Sequence, residues 1–530
     1  MNRRKLRARL RRGFGSVPSP HYFSGDMEHI RAYYDYRREN EPDTFMVDDI
    51  TWNDLDMDRV FKRINQDRCT SGEQYLYYML RSPAMDEETF ESRRRLIRYA
   101  VEDPERRLKA EMILARLGCT RRADLCTAFH PSRHGAGMLF VYLALFLFLI
   151  VSIVCTVLQV KYGIQAMLLS LLLNITIHET SRRRCGKDFD TVNYTVNMIF
   201  AIRRLRRLHD PELDALLAPA YESLDRFRSV LRIGGVSMPT YSGGAEDAIA
   251  TITLLDLISY EFLKNKLGRC HDDVFTVHEY IGRLDAAVSI ASYRASVRAY
   301  AEPQLVFDRG RDNFVEGTDL VHPMLDGAVP NDLVTDKSIL ITGSNASGKS
   351  TYLKTAALAV IMAQSICTVL ASSYSAKAMK VYSSMALKDD LVSGESYYIV
   401  ETRALKRMLD AIGEDRSVLC IADEVLRGTN TVERIAASSE VLGALAAAGA
   451  LCIVATHDIE LCGLLGDLYR LFHFEEQVKD DEIIFDYRIK DGEATTRNAI
   501  NLLRLMGFDS GIVSRAHESA ARYTETGSWR

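Results

Sequence analysis

A chain of 530 residues with 47% hydrophobic and 26% charged side chains has the composition of a folded protein of roughly two to four domains, which excludes a disordered or fibrous one. A formal net charge of −4 excludes wholesale electrostatic attraction to nucleic acid. Ten cysteines without a Cys-x-x-Cys pair indicate neither a zinc site nor a disulfide framework, and reduced cytosol is the natural compartment for most of the chain.

Residues 1–45 read as a basic arm and linker. Seven of the first twelve residues are Lys or Arg, with no apolar segment behind them, so a secretory signal is not expected. A flexible arm touching anionic lipid or nucleic acid and a merely solvated tail are both open readings. From residue 46 to 132 the pattern is helical. Leu55, Val60, Phe61 and Ile64 recur at helical spacing, as do Tyr75, Leu76, Met79 and Leu80. Ser82-Pro83 breaks the chain, and Phe90 to Leu117 is again helical and strongly charged.

Gly137 to Val160 contains no charge and spans roughly 36 Å as a helix, enough for a bilayer core. Lys161, Tyr162 and Gly163 interrupt before a second, shorter apolar run, Ile164 to Ile177. Arg121, Arg122 and Arg133 precede the pair and Arg182, Arg183, Arg184 and Lys187 follow it. By the positive-inside tendency both flanks stay cytoplasmic. The expectation is a transmembrane helical hairpin over residues 133–185, with membrane contact through 137–178. The alternative is a hairpin buried in a soluble domain. Residues 186–303 return to helix, with Leu254 to Phe262 and Ile281 to Ile290 as two long segments.

Past Gln304 short strands alternate with helices, the pattern of an α/β domain with a mostly parallel sheet over residues 304–530. Val418 to Ala422 and Leu451 to Ala455 read as buried strands, in which Cys420 and Cys452 are small core residues, and Ile483 to Ile489 as an alternating edge strand. The apolar run Ile339 to Thr342 leads into Gly343-Ser344-Asn345-Ala346-Ser347-Gly348-Lys349-Ser350-Thr351, which fills every fixed position of the phosphate-loop pattern. Its glycines let backbone N–H groups curl around a triphosphate, and the following helix adds the positive end of its dipole. Lys349 would reach the β- and γ-phosphates, and the Ser350 hydroxyl would ligate Mg²⁺. Val418 to Glu424 is an apolar strand ending in two carboxylates, the form of a Walker B segment. There Asp423 would hold the metal and Glu424 would orient or deprotonate the attacking water. Leu451 to Asp458 is a second such strand, ending at His457, a candidate for sensing the γ-phosphate. Asp389 to Ser396 is polar and turn-like.

Four segments together, Thr342–Thr351, Asp389–Glu401, Asp423–Thr431 and Ala455-Thr456-His457, resemble the ATPase motifs of the MutS family of mismatch-repair proteins, in order and spacing. Val321-His322-Pro323, Val329 to Asp332, Tyr487 to Gly492 and Asn498-Ala499-Ile500 are similar to that family's flanking segments. The likeness is strong over 305–515 and weaker over 50–120 and 250–302. It implies an ABC-type P-loop ATPase domain preceded by an all-α core and lever region, here carrying the apolar hairpin. It further implies ATP and Mg²⁺ as cofactors, a homodimer through the ATPase domain and duplex or branched DNA as a partner. Asn345 would sit over the phosphates and His457 would act as switch histidine. Ser393, Gly394 and Ser396 would reach the nucleotide of the opposite copy.

The sequence departs from the family at Ala328, where an aromatic stacks on adenine, at Leu426, where a glycine is usual, and at Tyr397, where a threonine is usual. No mismatch-reading domain fits the first fifty residues. The expected protein is a membrane-anchored ATPase with its catalytic domain in the cytoplasm, hydrolysing ATP and lacking mismatch recognition. A soluble DNA-clamping repair or recombination factor and a nucleotide-gated membrane scaffold without DNA are the alternatives.

Overall fold

The computed structural model describes residues 2–18, 22–23, 25–121, 123–128, 137–237, 245–308, 310–344, 347–385, 397–413, 416–479, 482–493, 500, 503–504, 507–526 and 528–529. They form two compact units whose sequences interleave. One takes Met1–Pro42, Ile64–Tyr78 and Arg95–Ser296; the other takes Asp43–Arg63, Met79–Arg94 and Val297–Arg530.

The first unit is helical. The basic N-terminus is not an arm here. Residues Arg3–Gly13 form helix α1, whose Leu6 and Leu10, four apart and so on one face, are buried against Leu108. Arg7 and Arg11 both bond Glu105, the former at 2.6 Å. Further along the chain lie α2 (Asp26–Asn40), α3 (Asp49–Asp54) and α4 (Met57–Ile64), the last two almost wholly in the second unit, then α5 (Thr70–Arg81) and α6 (Glu87–Glu102), which each pass between the units, α7 (Pro104–Leu117), which carries Leu108, and the short α8 (Leu125–Ala128).

Of the two apolar stretches, the first forms α9 (Gly137–Val157), which is long and apolar enough to cross a membrane over Met138–Val157. The second is only the opening of α10 (Gly163–Arg206), a continuous helix of 44 residues, about 66 Å long at 1.5 Å per residue. It is almost wholly apolar to Ile177 and mixed beyond, where Val192, Met198, Ile199 and Ile202 are buried among polar neighbours. Helices α9 and α10 pack on each other along the apolar part. Past Lys187 α10 returns to the helical core, where Ser71 N donates to the Tyr194 hydroxyl at 3.0 Å.

Then come α11 (Pro211–Leu216), α12 (Ala218–Ser223), α13 (Arg228–Ser237), α14 (Ala245–Thr253), α15 (Leu255–Arg269) and α16 (His271–Ser296). Leu254, at φ +56°, breaks the chain between α14 and α15. The freed carbonyl of Ile252 accepts from Asn174 at 2.7 Å, and Asp256 bonds His178 at 2.9 Å. These are polar partners for polar groups in an apolar setting.

The second unit is α/β. Its strands and helices are β1 (Gln304–Val306), β2 (Val315–Leu320), β3 (Asn331–Thr335), β4 (Ser338–Thr342), α17 (Lys349–Ile366), β5 (Ser373–Lys377), β6 (Lys380–Ser384), α18 (Tyr397–Asp410) and β7 (Val418–Asp423). After these follow α19 (Thr431–Ala447), β8 (Leu451–Ala455), α20 (Glu460–Leu465), β9 (Tyr469–His473), β10 (Glu476–Lys479), β11 (Glu482–Phe485), β12 (Lys490–Asp491) and α21 (Ser510–Thr526). The main sheet has the order β12-β9-β4-β8-β7-β6 and is parallel except at β12. Every residue of β4, β7 and β8 is buried, as expected of parallel strands covered on both faces. A smaller sheet, β1-β5-β2-β3, stands beside it. The stretch expected as one edge strand, Ile483 to Ile489, instead supplies β11, which hairpins with β10, before the chain turns at Tyr487 (φ +53°).

Residues 43–63 belong to this second unit through three carboxylates. Asp54 accepts from the Ser383 hydroxyl (2.6 Å) and Met385 N (3.0 Å), Asp56 pairs with Lys354 (2.7 Å) and Asp48 with Arg407 (2.6 Å). They therefore brace the end of β6, the phosphate-loop helix and α18.

In the helical unit, α5 and α16 approach so closely that a Cβ on Gly282 would lie 2.5 Å from Tyr75 Cβ and 2.6 Å from Ser71 O. Gly282→Ala is expected to cost about 1–3 kcal/mol through overpacking. Gly186→Ala, on α10 with nothing within 4 Å among the described residues, should be neutral or stabilising. Thermal melts of the two variants check this; equal melting temperatures would refute the close approach.

Candidate nucleotide site

The parallel register brings the three chemically loaded strand ends together. Ile341 pairs with Ala455, and Ala455 with Asp423, so β4, β8 and β7 end side by side on one edge of the sheet. Ligands of open parallel sheets bind outside such carboxyl ends.

The turn after β4 is possible only with glycine. Gly343 has φ +142°, and a Cβ there would lie 2.5 Å from the carbonyl of Phe474, whose N–H donates to Thr342 O at 3.0 Å. Gly348 (φ +108°) stands at the start of α17, and Ser347 closes the turn by donating to Ser344 O at 2.8 Å. Lys349 is 4% exposed, and its ammonium donates to Gly343 O (2.7 Å) and Ser344 O (2.6 Å). Burial pushes its pKa down to about 8, against the raising effect of Asp423, Glu424 and Glu476.

The Ser350 hydroxyl donates to Asp423 Oδ2 at 2.6 Å, and the buried Oδ1 of Asp423 has no hydrogen-bond partner among the described residues. A hydroxyl and a carboxylate with a free oxygen, set beside a phosphate loop, are a donor set that fits Mg²⁺. Thr351, next on α17, lines the same cavity.

Glu424 sits at φ +54°, its N–H tied to Ala455 O at 2.9 Å. One carboxylate oxygen meets His457 Nε2 at 2.7 Å and the other meets Arg427. Burial pushes the Glu424 carboxyl up, but the hydrogen bond and charge of His457, with Arg427 and Lys349, outweigh it and hold the group below the usual carboxylate value. His457 is placed in turn by the bond from Thr456 N to Ile341 O (3.0 Å) and by Asp458, which pairs with Arg434 at 2.6 Å. Leu426, at the position noted for a missing glycine, has φ +60° and is buried. A left-handed leucine costs roughly 1–2 kcal/mol, and burial of its side chain offsets that strain.

Lys349, Ser350, Thr351 and Glu424 line one side of a cavity of about 450 Å³, a size that accepts a nucleotide. Its other side is Leu325, Ala328, Val329, Tyr352, Phe474 and Tyr487. Ala328 supplies no ring, yet Tyr487 and Phe474 do, and the sequence reading assigned neither to the base. Asn331 holds Tyr487 in place, donating to its carbonyl (2.9 Å) and accepting from Ile489 N (2.8 Å). Only the run Val329 to Asp332 and the run Tyr487 to Gly492, both noted in the sequence, hinted at this pairing. Ser344 was assigned to the phosphates, and its hydroxyl here meets Glu476 at 2.5 Å. Asn345, Ala346, Ser393, Gly394 and Ser396 lie outside the described residues.

Residues 339–524 match the family model described as MutS domain V. The chain is 31% identical over 269 residues to the DNA mismatch repair protein MutS 2 of Halobacterium salinarum, covering 48% of this chain and 30% of that protein. It is 29% identical over 299 residues to the DNA mismatch repair protein MutS of Streptococcus thermophilus, covering 54% and 34%. With the namesake from Symbiobacterium thermophilum it shares 34% identity over 265 residues, covering 46% and 29%. The chain thus spans about a third of the length of the curated relatives it matches.

The Lys349 ammonium is disfavoured in the folded state, so its pKa of about 8 lies below the ordinary 10.5. Between those values the unfolded chain holds a proton that the folded chain has lost, and stability rises with pH; below about 8 both hold it and the penalty is constant. Lys349→Met is expected to flatten that rise. Denaturant midpoints of both proteins between pH 8 and pH 10 test it, and parallel profiles would contradict the burial of the charge.

Proposed function

This chain belongs to the MutS family, and from that premise we propose that it is a magnesium-dependent ATPase acting as a homodimer, held at a membrane and coupling hydrolysis to movement of its helical unit on DNA. The observation that carries the reading is the pair Ser350–Asp423 beside Glu424, which His457 orients, at adjacent ends of parallel strands over a nucleotide-sized cavity. Bound magnesium would neutralise charge across the β- and γ-phosphates, with Ser350 and Asp423 as its protein ligands. Lys349 needs only to turn its ammonium from the Gly343 and Ser344 carbonyls towards phosphate oxygens. Glu424, ionised and held between His457 and Arg427, is placed to accept a proton or hydrogen bond from water. Tyr487 and Phe474 flank the side where a base would stack. Ser393, Gly394 and Ser396 of one copy complete the site of the other.

Membrane attachment through residues 137–178 is supported by the side chains themselves. Phe140, Leu147, Val157, Ile164 and Leu172 are each at least 60% exposed, and only 17% of the most apolar window of Met138–Val157 is buried. An apolar surface of this extent fits lipid and not water. A hairpin buried in a soluble core would have these residues covered. For DNA the support is the likeness to proteins named for DNA mismatch repair, joined to the basic exposed face of α1.

Glu424→Gln should lower turnover by about 10²-fold or more and trap a dimer with ATP bound. Unchanged turnover in that variant would sink the role of Glu424. Separately, cell fractionation should leave the full chain in the membrane fraction until detergent is added, and its recovery in buffer alone would remove the membrane reading. Stimulation of ATP turnover by duplex or branched DNA, falling steeply with salt, is the expected sign of the DNA partner.

A further inference from the structure

Helix α10 ends in Arg203, Arg204, Arg206 and Arg207. Alone, these would be the ordinary cationic complement to the negative end of a helix dipole. The neighbouring helix does not allow that account. Helix α13 begins at Arg228 with no acid in its first turn, and Arg232 follows one turn later. Arg228 therefore stands at the positive end of a second helix, where the dipole opposes it, with Arg232 one turn further in.

Arg203, Arg206, Arg207, Arg228, Arg232 and His209 line a hollow of about 480 Å³. Among the described residues on its wall the one carboxylate is Asp225, which bonds Arg228 at 3.0 Å. Arg203, Arg206, Arg207 and Arg232 meet no carboxylate at ion-pair distance among the described residues. Elsewhere in the same unit arginines are matched, as in Arg37–Glu279 (2.8 Å), Arg68–Glu111 (2.9 Å) and Arg226–Asp273 (3.0 Å). Five guanidinium groups around one carboxylate make the hollow attractive to an anion, and their planar donors suit phosphate oxygens.

A second hollow of about 540 Å³ shares Arg206, His209 and Asp225 and adds Asp214 and Glu222. The groove is therefore basic at one end and acidic at the other. A duplex, with a charge every ~1.7 Å along its axis, would lay phosphates against the carboxylates as well. A compact ligand with one phosphate and several hydroxyl or amino donors satisfies both ends.

We propose that this two-ended groove binds a phosphorylated sugar, free or as part of a nucleotide, with its phosphate among Arg203, Arg207, Arg228 and Arg232 and its hydroxyl groups on Asp214 and Glu222. The test uses the full chain in phosphatidylcholine nanodiscs, carrying Lys349→Ala so that the phosphate loop does not compete. Titration calorimetry with ribose 5-phosphate is expected to give one saturable site, tighter than inorganic phosphate. Arg203→Glu with Arg232→Glu should weaken it at least about tenfold, near 1.4 kcal/mol, and Asp214→Asn with Glu222→Gln should bring it to the affinity of inorganic phosphate. Arg203→Gln with Arg232→Gln, and a helical melt of each protein, separate lost binding from lost folding. No saturable binding, or binding indifferent to the arginines in correctly folded protein, overturns the proposal. So does an outcome in which only duplex DNA, or only nanodiscs containing phosphatidylglycerol, engages the groove.

Discussion

The α/β unit depends on one constraint, the parallel register of β4, β8 and β7. Because Ile341, Ala455 and Asp423 lie in one row, the loops that follow them emerge at one edge, and groups far apart in sequence come within hydrogen-bond reach. Ser350 and Asp423 meet at 2.6 Å and Glu424 and His457 at 2.7 Å. A slip of one residue in either pairing would turn these side chains to the opposite face. All three strands are buried throughout, so nothing but their ladder partners and the loops at their ends marks one register from another.

That edge is also where the protein tolerates strain. Glu424 and Leu426 both have positive φ, and Lys349 is a cation buried among backbone carbonyls. Such departures cost free energy and persist where the surroundings over-determine them. Here the surroundings are the tie of Glu424 N to Ala455, the bond between Glu401 and Leu426 N, and the closure of the phosphate loop against Phe474. An anion entering the cavity relieves the Lys349 penalty directly, since it replaces carbonyl dipoles with full negative charge.

The helical unit is organised by α10. Its first turns carry the exposed apolar surface and its last turns carry Arg203, Arg204 and Arg206. One uninterrupted helix thus separates an exposed apolar stretch from a cluster of arginines by most of its ~66 Å length. The polar groups buried along its apolar part, Asn174 and His178, are matched to the broken backbone at Ile252 and to Asp256.

The amino-acid order by itself determined the elements whose signal is local. The phosphate loop, the two strands ending in Asp423–Glu424 and His457, and the apolar run of α9 are each legible because backbone freedom at glycine, continuous burial and length leave a mark on neighbouring residues. It also implied the family, through four motifs in order. What only the tertiary structure decided were the contacts made across long separations. The basic N-terminus docks as a helix because Leu6 and Leu10 find Leu108, a partner about a hundred residues away that no local pattern names. Tyr487 and Phe474 enter the cavity wall in place of the ring absent at Ala328, since packing fills a pocket from whichever element passes by. Asp54 and Asp56 join the α/β unit, and Arg228 and Arg232 face the end of α10, because charge is indifferent to chain distance. Local sequence encodes conformation, whereas pairing of distant groups is settled only when the chain closes upon itself.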